Sequence, residues 1–384
     1  MKRLGFRTAG ESHGKGLLAI LENLPAGITL DIEAVDKMLR RRQRGFGRSA
    51  RQNLEQDSVE ILTGAKRGKS IGAPITLWVR NKDQRIDDYR ELHRPRPGHA
   101  DLAGAIKYGT HDVANIMERA SARETAARVA AGGLAASVLR SIGISVFGYV
   151  TQIGGVRCGG DPLHRDAETV REASVIGSLD PKADPEIVKL IESLRDAGDT
   201  VGGEFSVVAC GVPVGLGSHA QWDSRLDGRI AQAVMSIPAI KSVEIGFGSQ
   251  SASAQGLTYH DPILPDGFGG VARPSNRAGG IEGGISNGMP IVVRAAMKPI
   301  PTVRKPLASI NLTTGLAEDA VWERSDVCSV PSASVVAEAM TALVLLDALL
   351  EVVAGDNVEQ FVSGVTALRM RANGLTLPEG ASRA

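Results

Sequence analysis

Apolar positions recur with two distinct periods along the chain, and the alternation between them lays out the elements. Residues 4–31 carry two short apolar runs, Leu17–Glu22 and Gly27–Asp31, joined by a turn at Pro25-Ala26-Gly27. They predict a pair of strands behind the glycine-flanked loop Thr8–Gly16. In Ile32–Gln43, Ile32, Val35, Met38 and Leu39 share one helical face, so a helix follows. Strands are predicted at Val59–Leu62, Ile75–Val79, Phe205–Pro213 and Ile291–Met297, with a strand pair across 144–158. The last of these strands follows Asn287-Gly288, a strong hairpin-turn signal. Further helices are predicted at Ser121–Ser141, at Pro185–Asp196 with Asp184 as its cap, at Leu226–Ser236 and at Ser334–Val353.

The helix beginning at Ser121 draws the other features toward it. Ser121 and Glu124 have the spacing of a capping box, which turns the first free N–H groups of the helix toward whatever precedes it. Arg119 and Arg123 add two guanidinium forks at that end, so phosphate or carboxylate is favoured there. The same stretch, rich in Ala126, Ala127, Ala130, Ala131, Gly132 and Gly133, also reads as a buried core helix with two solvated arginines.

Composition narrows the classes. With 44 basic against 43 acidic residues, the chain has no overall pull toward nucleic acid or a membrane surface. The longest apolar stretch, Val335–Gly355, is interrupted by Glu338, Asp347 and Glu351, so no membrane span is expected, and the N-terminus lacks an apolar run behind a basic start, so no signal peptide is expected. Cys158, Cys210 and Cys328 lack a CxxC spacing, which argues against a zinc or disulfide framework and fits a reducing cytoplasm. No linker, repeat or low-complexity tract divides the 384 residues, so one α+β domain over 1–384 is expected.

The candidate chemistry lies in loops. His13 in Gly-Glu-Ser-His-Gly and His99 in Arg-Pro-Gly-His-Ala-Asp are glycine-flanked, and histidine suits proton transfer near neutral pH. A lone histidine is more often a satisfied structural residue, but two in such loops are more informative. No Walker, GxGxxG or GxSxG motif is present, and no residue spacing suggests a metal. What remains is arginine, at positions 42, 48, 51, 96, 119, 123 and 324, which suits a small-molecule substrate with several fixed negative charges. An RNA-binding patch at Arg40–Arg51 is disfavoured because only Phe46 is interleaved for base stacking. A flavin oxidoreductase with net hydride transfer is the other enzyme reading, against which stands the missing dinucleotide fingerprint.

The ordered motifs Gly10-Glu-Ser-His-Gly14, Arg40-Arg-Arg-Gln43 with Gly45-Phe-Gly-Arg48, Arg96-Pro-Gly-His-Ala-Asp101, Ser121-Ala-Arg-Glu-Thr125, Gly283-Gly-Ile-Ser-Asn-Gly288, Met297-Lys-Pro-Ile-Pro-Thr302 and Arg324-Ser-Asp326 resemble chorismate synthase over nearly the whole chain. The resemblance implies a β-α-β sandwich, with helices packed between antiparallel sheets. It implies a cytoplasmic homotetramer that uses reduced FMN in an anti-1,4-elimination of phosphate from 5-enolpyruvylshikimate-3-phosphate, without net redox change. His13 then resembles the acid for the departing phosphate, His99 the histidine at flavin N1, and Asp326 the aspartate beside N5.

By the same resemblance Arg42, Arg48, Arg51, Arg96, Arg123 and Arg324 hold the substrate's phosphate and carboxylates. Arg119, Ala120, Ser121, Ala122, Ala239, Gly284, Lys298, Thr302 and Arg324 fall on FMN contacts, and Arg42 and Arg48 on NADPH contacts. Whether NADPH reduces the flavin on this chain or an external flavin reductase does so stays open. Two departures stand out: Ser325-Asp326-Val327 replaces the His-Asp-Pro of many members, and Pro238 stands where some place Asn.

Overall fold

The structure, a computed structural model, describes residues 3–48, 56–266, 270–323 and 325–373. Strand β1 (Gly5–Gly10) runs antiparallel to β2 (Gly16–Glu22), with Thr8 opposite Ala19. Helix α1 (Ile32–Gln43) buries Val35, Met38 and Leu39, as its periodicity predicts, and its N-cap Asp31 accepts from the Ala34 N–H. Strands β3 (Val59–Thr63) and β4 (Ile75–Arg80) complete a four-stranded antiparallel sheet in the order β1-β2-β4-β3.

The strand expected at Gly27–Asp31 is absent. That stretch makes the isolated bridge Thr29–Lys69 and backbone hydrogen bonds to Gly68 and Ser70 without forming a strand, and Ile28 and Leu30 are buried. Besides β4, β2 pairs with β1, whose half-buried glycine- and arginine-bearing sequence lacks an alternating pattern.

Two short helices, α2 (Asp101–Tyr108) and α3 (Ala114–Ala120), precede α4 (Thr125–Ser141). The second sheet comprises β5 (Ser145–Ile153), β6 (Val156–Arg157), β7 (Gly203–Cys210), β8 (Ile240–Ile245) and β9 (Ile291–Met297) in the antiparallel order β8-β9-β7-β5-β6. Helix α5 (Asp184–Ala197) lies in the connection from β6 to β7 and α6 (Leu226–Met235) in that from β7 to β8. Asp184 opens α5 rather than capping it, because its carboxylate accepts from Ser174 Oγ and Val175 N of the preceding turn. Helices α7 (Val330–Val352) and α8 (Val358–Asn373) end the described chain.

Helix α4 packs on β1, β2 and β4, helix α7 on β5 and β7, and α6 on β8, while α1, α4 and α7 touch one another. The result is the expected α+β sandwich, a helical layer between two antiparallel sheets. Small residues set the spacing. A Cβ on Gly132 of α4 would lie 2.4 Å from the Cβ of Ala339 on α7, and one on Gly148 of β5 would lie 2.5 Å from the Ser334 carbonyl oxygen. Helix α7 is long and apolar enough to cross a membrane, yet it is buried from Val330 to Leu350 as the core helix.

Its two buried carboxylates are met by partners. Glu338 accepts from both terminal nitrogens of Arg41 and from the Gly148 N–H, and lies 3.4 Å from Arg171. Burial works against its charge, but Arg41 and Arg171 hold its carboxyl below the usual range. Asp347 accepts the N–H groups of Arg3 and Leu4 and pairs with Arg229 at 2.5 Å. Charged groups in such a core are tolerated only with partners of this kind.

Candidate active site

The β1–β2 loop carries His13 and is held from three directions. Asn81, following β4, donates through Nδ2 to the carbonyls of Glu11, Ser12 and Gly14. Glu118 of α3 accepts the Ser12 N–H on its main-chain oxygen and the His13 N–H on Oε2 at 2.8 Å. Its other oxygen, Oε1, lies 2.6 Å from His13 Nδ1. The side chain is 9% exposed, stacks on Tyr89 with ring centroids 4.9 Å apart, and turns Nε2 toward Asp83 at 3.7 Å.

Beside this loop lies the cationic cluster. Arg42 at the end of α1 and Arg123 ahead of α4 share Asp57, each at 2.5 Å from one carboxylate oxygen. Arg123 Nε donates to Asn81 Oδ1, so the residue that shapes the His13 loop also orients this guanidinium. Arg42 also meets Thr125, and Gln43 accepts the Asp57 N–H. Burial lowers the pKa of Arg42, with Asp57 opposing and the neighbouring Arg123 and Arg48 adding to the shift. Arg48 pairs with Asp326 at 2.7 Å, and Ser329 bridges them, accepting from Arg48 and donating to Asp326. Among the described residues the Nε groups of Arg42 and Arg48 are buried without a hydrogen-bond acceptor. Donor capacity is thus left over for an incoming anion.

The His99 loop is built around Asp101, the first residue of α2. Asp101 is fully buried and accepts from the Arg96 N–H and Nε and from His99 Nδ1. Burial would raise its pKa, but the hydrogen bonds from His99 and Arg96 outweigh burial and hold it at about 2. Arg96 NH2 also lies 3.0 Å from His99 Nδ1. A guanidinium only donates, so with the ring proton directed to Asp101 this second contact is not a hydrogen bond. Arg96 NH1 donates to Thr302, whose carbonyl accepts from Ser325 Oγ. Lys298 Nζ donates to the Gly98 carbonyl, and the Lys298 N–H to that of Ala239. Burial and the nearby Lys241 lower the pKa of Lys298. Ala239 has φ +68°, a left-handed conformation uncommon for a residue with a Cβ.

Most of the predicted residues are drawn together, with corrections. The capping box does not close: Ser121 Oγ accepts from Arg123 N and caps a 3-10 turn, Ala122–Glu124, and the α-helix proper starts at Thr125. Glu124 instead accepts from Thr8 Oγ1 and Arg128, because β1 passes within reach and supplies a tertiary donor. Arg119, half-exposed, leans onto the Gly10 and Thr8 carbonyls and the Thr8 hydroxyl, while Ala120 and Ala122 flank Ser121. The Gly284 carbonyl accepts from Leu226 at the start of α6, and Ala239 follows the opposite end of that helix.

Arg51 and Arg324 lie outside the described residues. Asp57, Asn81 and Glu118 escaped the sequence reading. Only Asp101 carried a local signal, its position two residues after His99.

Proton-transfer groups beside fixed positive charge define an enzyme for a polyanionic small molecule. Comparison with known proteins narrows that class. The sequence model described as chorismate synthase matches residues 4–350. A protein named chorismate synthase from Desulforudis audaxviator is 48% identical over 385 residues, covering 96% of this chain and 99% of its own. One from Aquifex aeolicus is 46% identical, with 94% and 96% covered. A solved structure described as a crystal structure of chorismate synthase superposes with a TM-score of 0.79 at 42% identity, covering 97% of this chain and 99% of that one. The chain belongs to the chorismate synthase family, lyases of aromatic amino-acid biosynthesis that eliminate phosphate from 5-enolpyruvylshikimate-3-phosphate to give chorismate.

Proposed function

We propose that this chain carries out that elimination at the site spanned by His13, the arginine cluster and the His99 loop. The supporting observation is the shared anchor at Asn81, which fixes the His13 loop and the Arg123 guanidinium in one arrangement. A proton donor is thereby held beside a cationic anion site, as departure of a phosphate requires. Arg42, Arg48, Arg96 and Arg123, with Arg51 and Arg324, bind the phosphate and carboxylates of the substrate. His13 gives its proton to the phosphate oxygen as the carbon–oxygen bond breaks.

Reduced FMN, when bound, supplies the electron-rich partner that lets the elimination proceed without net redox change. The donors that the resemblance assigns to flavin fit such a group. Lys298, Thr302, Ser121 and Arg119 offer hydrogen bonds and positive charge, and the left-handed backbone at Ala239 ties its carbonyl to the Lys298 N–H. His99 holds a proton on the flavin side, oriented by Asp101, and Asp326, held by Arg48 and Ser329, is the proton acceptor there. Arg42 and Arg48 would hold NADPH for reduction of the flavin, a task an external flavin reductase would otherwise perform. The enzyme works as one domain per chain over 1–384, in a cytoplasmic homotetramer.

The test is an anaerobic assay of phosphate release from the shikimate ester with chemically reduced FMN. Release without stoichiometric NADPH consumption is expected. Release that requires one NADPH per product would replace the elimination with a net reduction.

A further inference from the structure

Glu118 spends both carboxylate oxygens on residue 13, and this carries a consequence for the ring. A main-chain N–H is always a donor, so Oε2, 2.8 Å from the His13 nitrogen, must accept. The ionised carboxylate has no proton to give, so Oε1, 2.6 Å from Nδ1, must accept as well. We infer that Glu118 is a positioning residue that fixes the His13 ring proton on Nδ1, making Nε2 the nitrogen that exchanges a proton with the leaving phosphate. This deepens the reading of His13 as the acid and rests on it.

The other groups facing the ring are compatible with that assignment. From the segment after β4, Asp83 lies 3.7 Å from Nε2, outside hydrogen-bond range, and Tyr89 stacks on the ring face. Arg85 sits over Tyr89 and 3.2 Å from the second Asp83 oxygen. In the protonated ring both nitrogens carry hydrogen. The Nε2 proton passes to the phosphate oxygen, which keeps the electron pair of the broken carbon–oxygen bond. The ring is left neutral with its remaining proton on Nδ1, donated to Glu118 Oε1, and solvent returns a proton to Nε2 before the next turnover.

Glu118→Gln separates this role from simple anchoring of the loop. The amide oxygen still accepts the His13 N–H, but its NH2 group then faces Nδ1 and donates to it, which moves the neutral ring's proton to Nε2. The experiment uses the full chain with ring-15N histidine, assigning His13 by difference from His13→Ala and reading the tautomer at a pH where the ring is neutral. The wild type and Asp83→Asn should hold the proton on Nδ1, and Glu118→Gln on Nε2. Single-turnover phosphate release by Glu118→Gln should slow at least roughly 10-fold, bounded by the roughly 10²–10⁴-fold expected for loss of the ring itself, with reduced-FMN affinity unchanged.

A wild-type ring protonated on Nε2 overturns the proposal without any variant. So does a tautomer that follows Asp83 instead, one that ignores Glu118→Gln, or an inverted tautomer with unchanged release. If His13→Ala releases phosphate normally, the acid role of His13 falls, while the tautomer data still decide whether Glu118 places the proton.

Discussion

The two histidines of the site are built alike at Nδ1 and differently everywhere else. His99 takes its carboxylate from two residues away, and that carboxylate is shared with Arg96 and buried. His13 takes its own from a helix 105 residues further along the chain, and stands sealed against Tyr89 with a second carboxylate near Nε2. A carboxylate already matched by a guanidinium is largely neutralised, so the His99 corner is a fixed, self-contained unit. The His13 corner depends on how the β1–β2 loop, β4 and α3 are brought together. The difference suits one histidine to holding a bound group in a set protonation state and the other to giving up a proton.

His13→Ala gives the largest expected separation of the two. Phosphate release should slow by roughly 10²–10⁴-fold with little change in reduced-flavin affinity. His99→Ala should instead change reduced-flavin affinity more than that of oxidised FMN, whose ring lacks the negative charge at N1. Anaerobic titrations beside single-turnover assays check both, and equal shifts in the two variants would end the distinction. Asp101→Asn should come next, destabilising the fold on the order of 3 kcal/mol in denaturant titrations because Arg96 and His99 lose their buried counter-charge. A variant as stable as the wild type would show that the His99 corner is not the rigid unit described.

Arg123→Ala should weaken substrate binding by about 1.5–3 kcal/mol through loss of a charge-assisted contact. The fold should hold, because Asp57 keeps its pairing with Arg42. Unfolding with intact affinity per folded molecule would make Arg123 structural. The smallest effect concerns acid. With the folded pKa of Asp101 depressed to about 2 from 3.8, its contribution is full above the unfolded value and is lost as pH falls through the folded one. That contribution, on the order of 2 kcal/mol, should disappear between about pH 4 and 2 in wild-type unfolding curves. Asp101→Asn should lack that part of the acid dependence.

Local physics made some elements legible from the chain alone. Helix α1 was readable to its end residues because one apolar face repeats at helical spacing; α7 was readable as a long apolar helix, though it starts at Val330, four residues before the expected Ser334. His99 with Asp101 lies within one short loop, and the arginine run at the end of α1 announced a polyanion. Strand β1 and helices α2 and α3 were not legible, since short, half-polar segments take their structure from what they pack against. Nothing near residue 57 marks Asp57 as the carboxylate shared by Arg42 and Arg123, and nothing near residue 118 marks Glu118 as the partner of His13. Thus the sequence by itself determined the kinds of group the site would contain and the periodicities of its longest helices. Only the tertiary structure decided which carboxylate orients which base, because those pairings join segments far apart in the chain and exist only once the sheet and the helical layer have closed on each other.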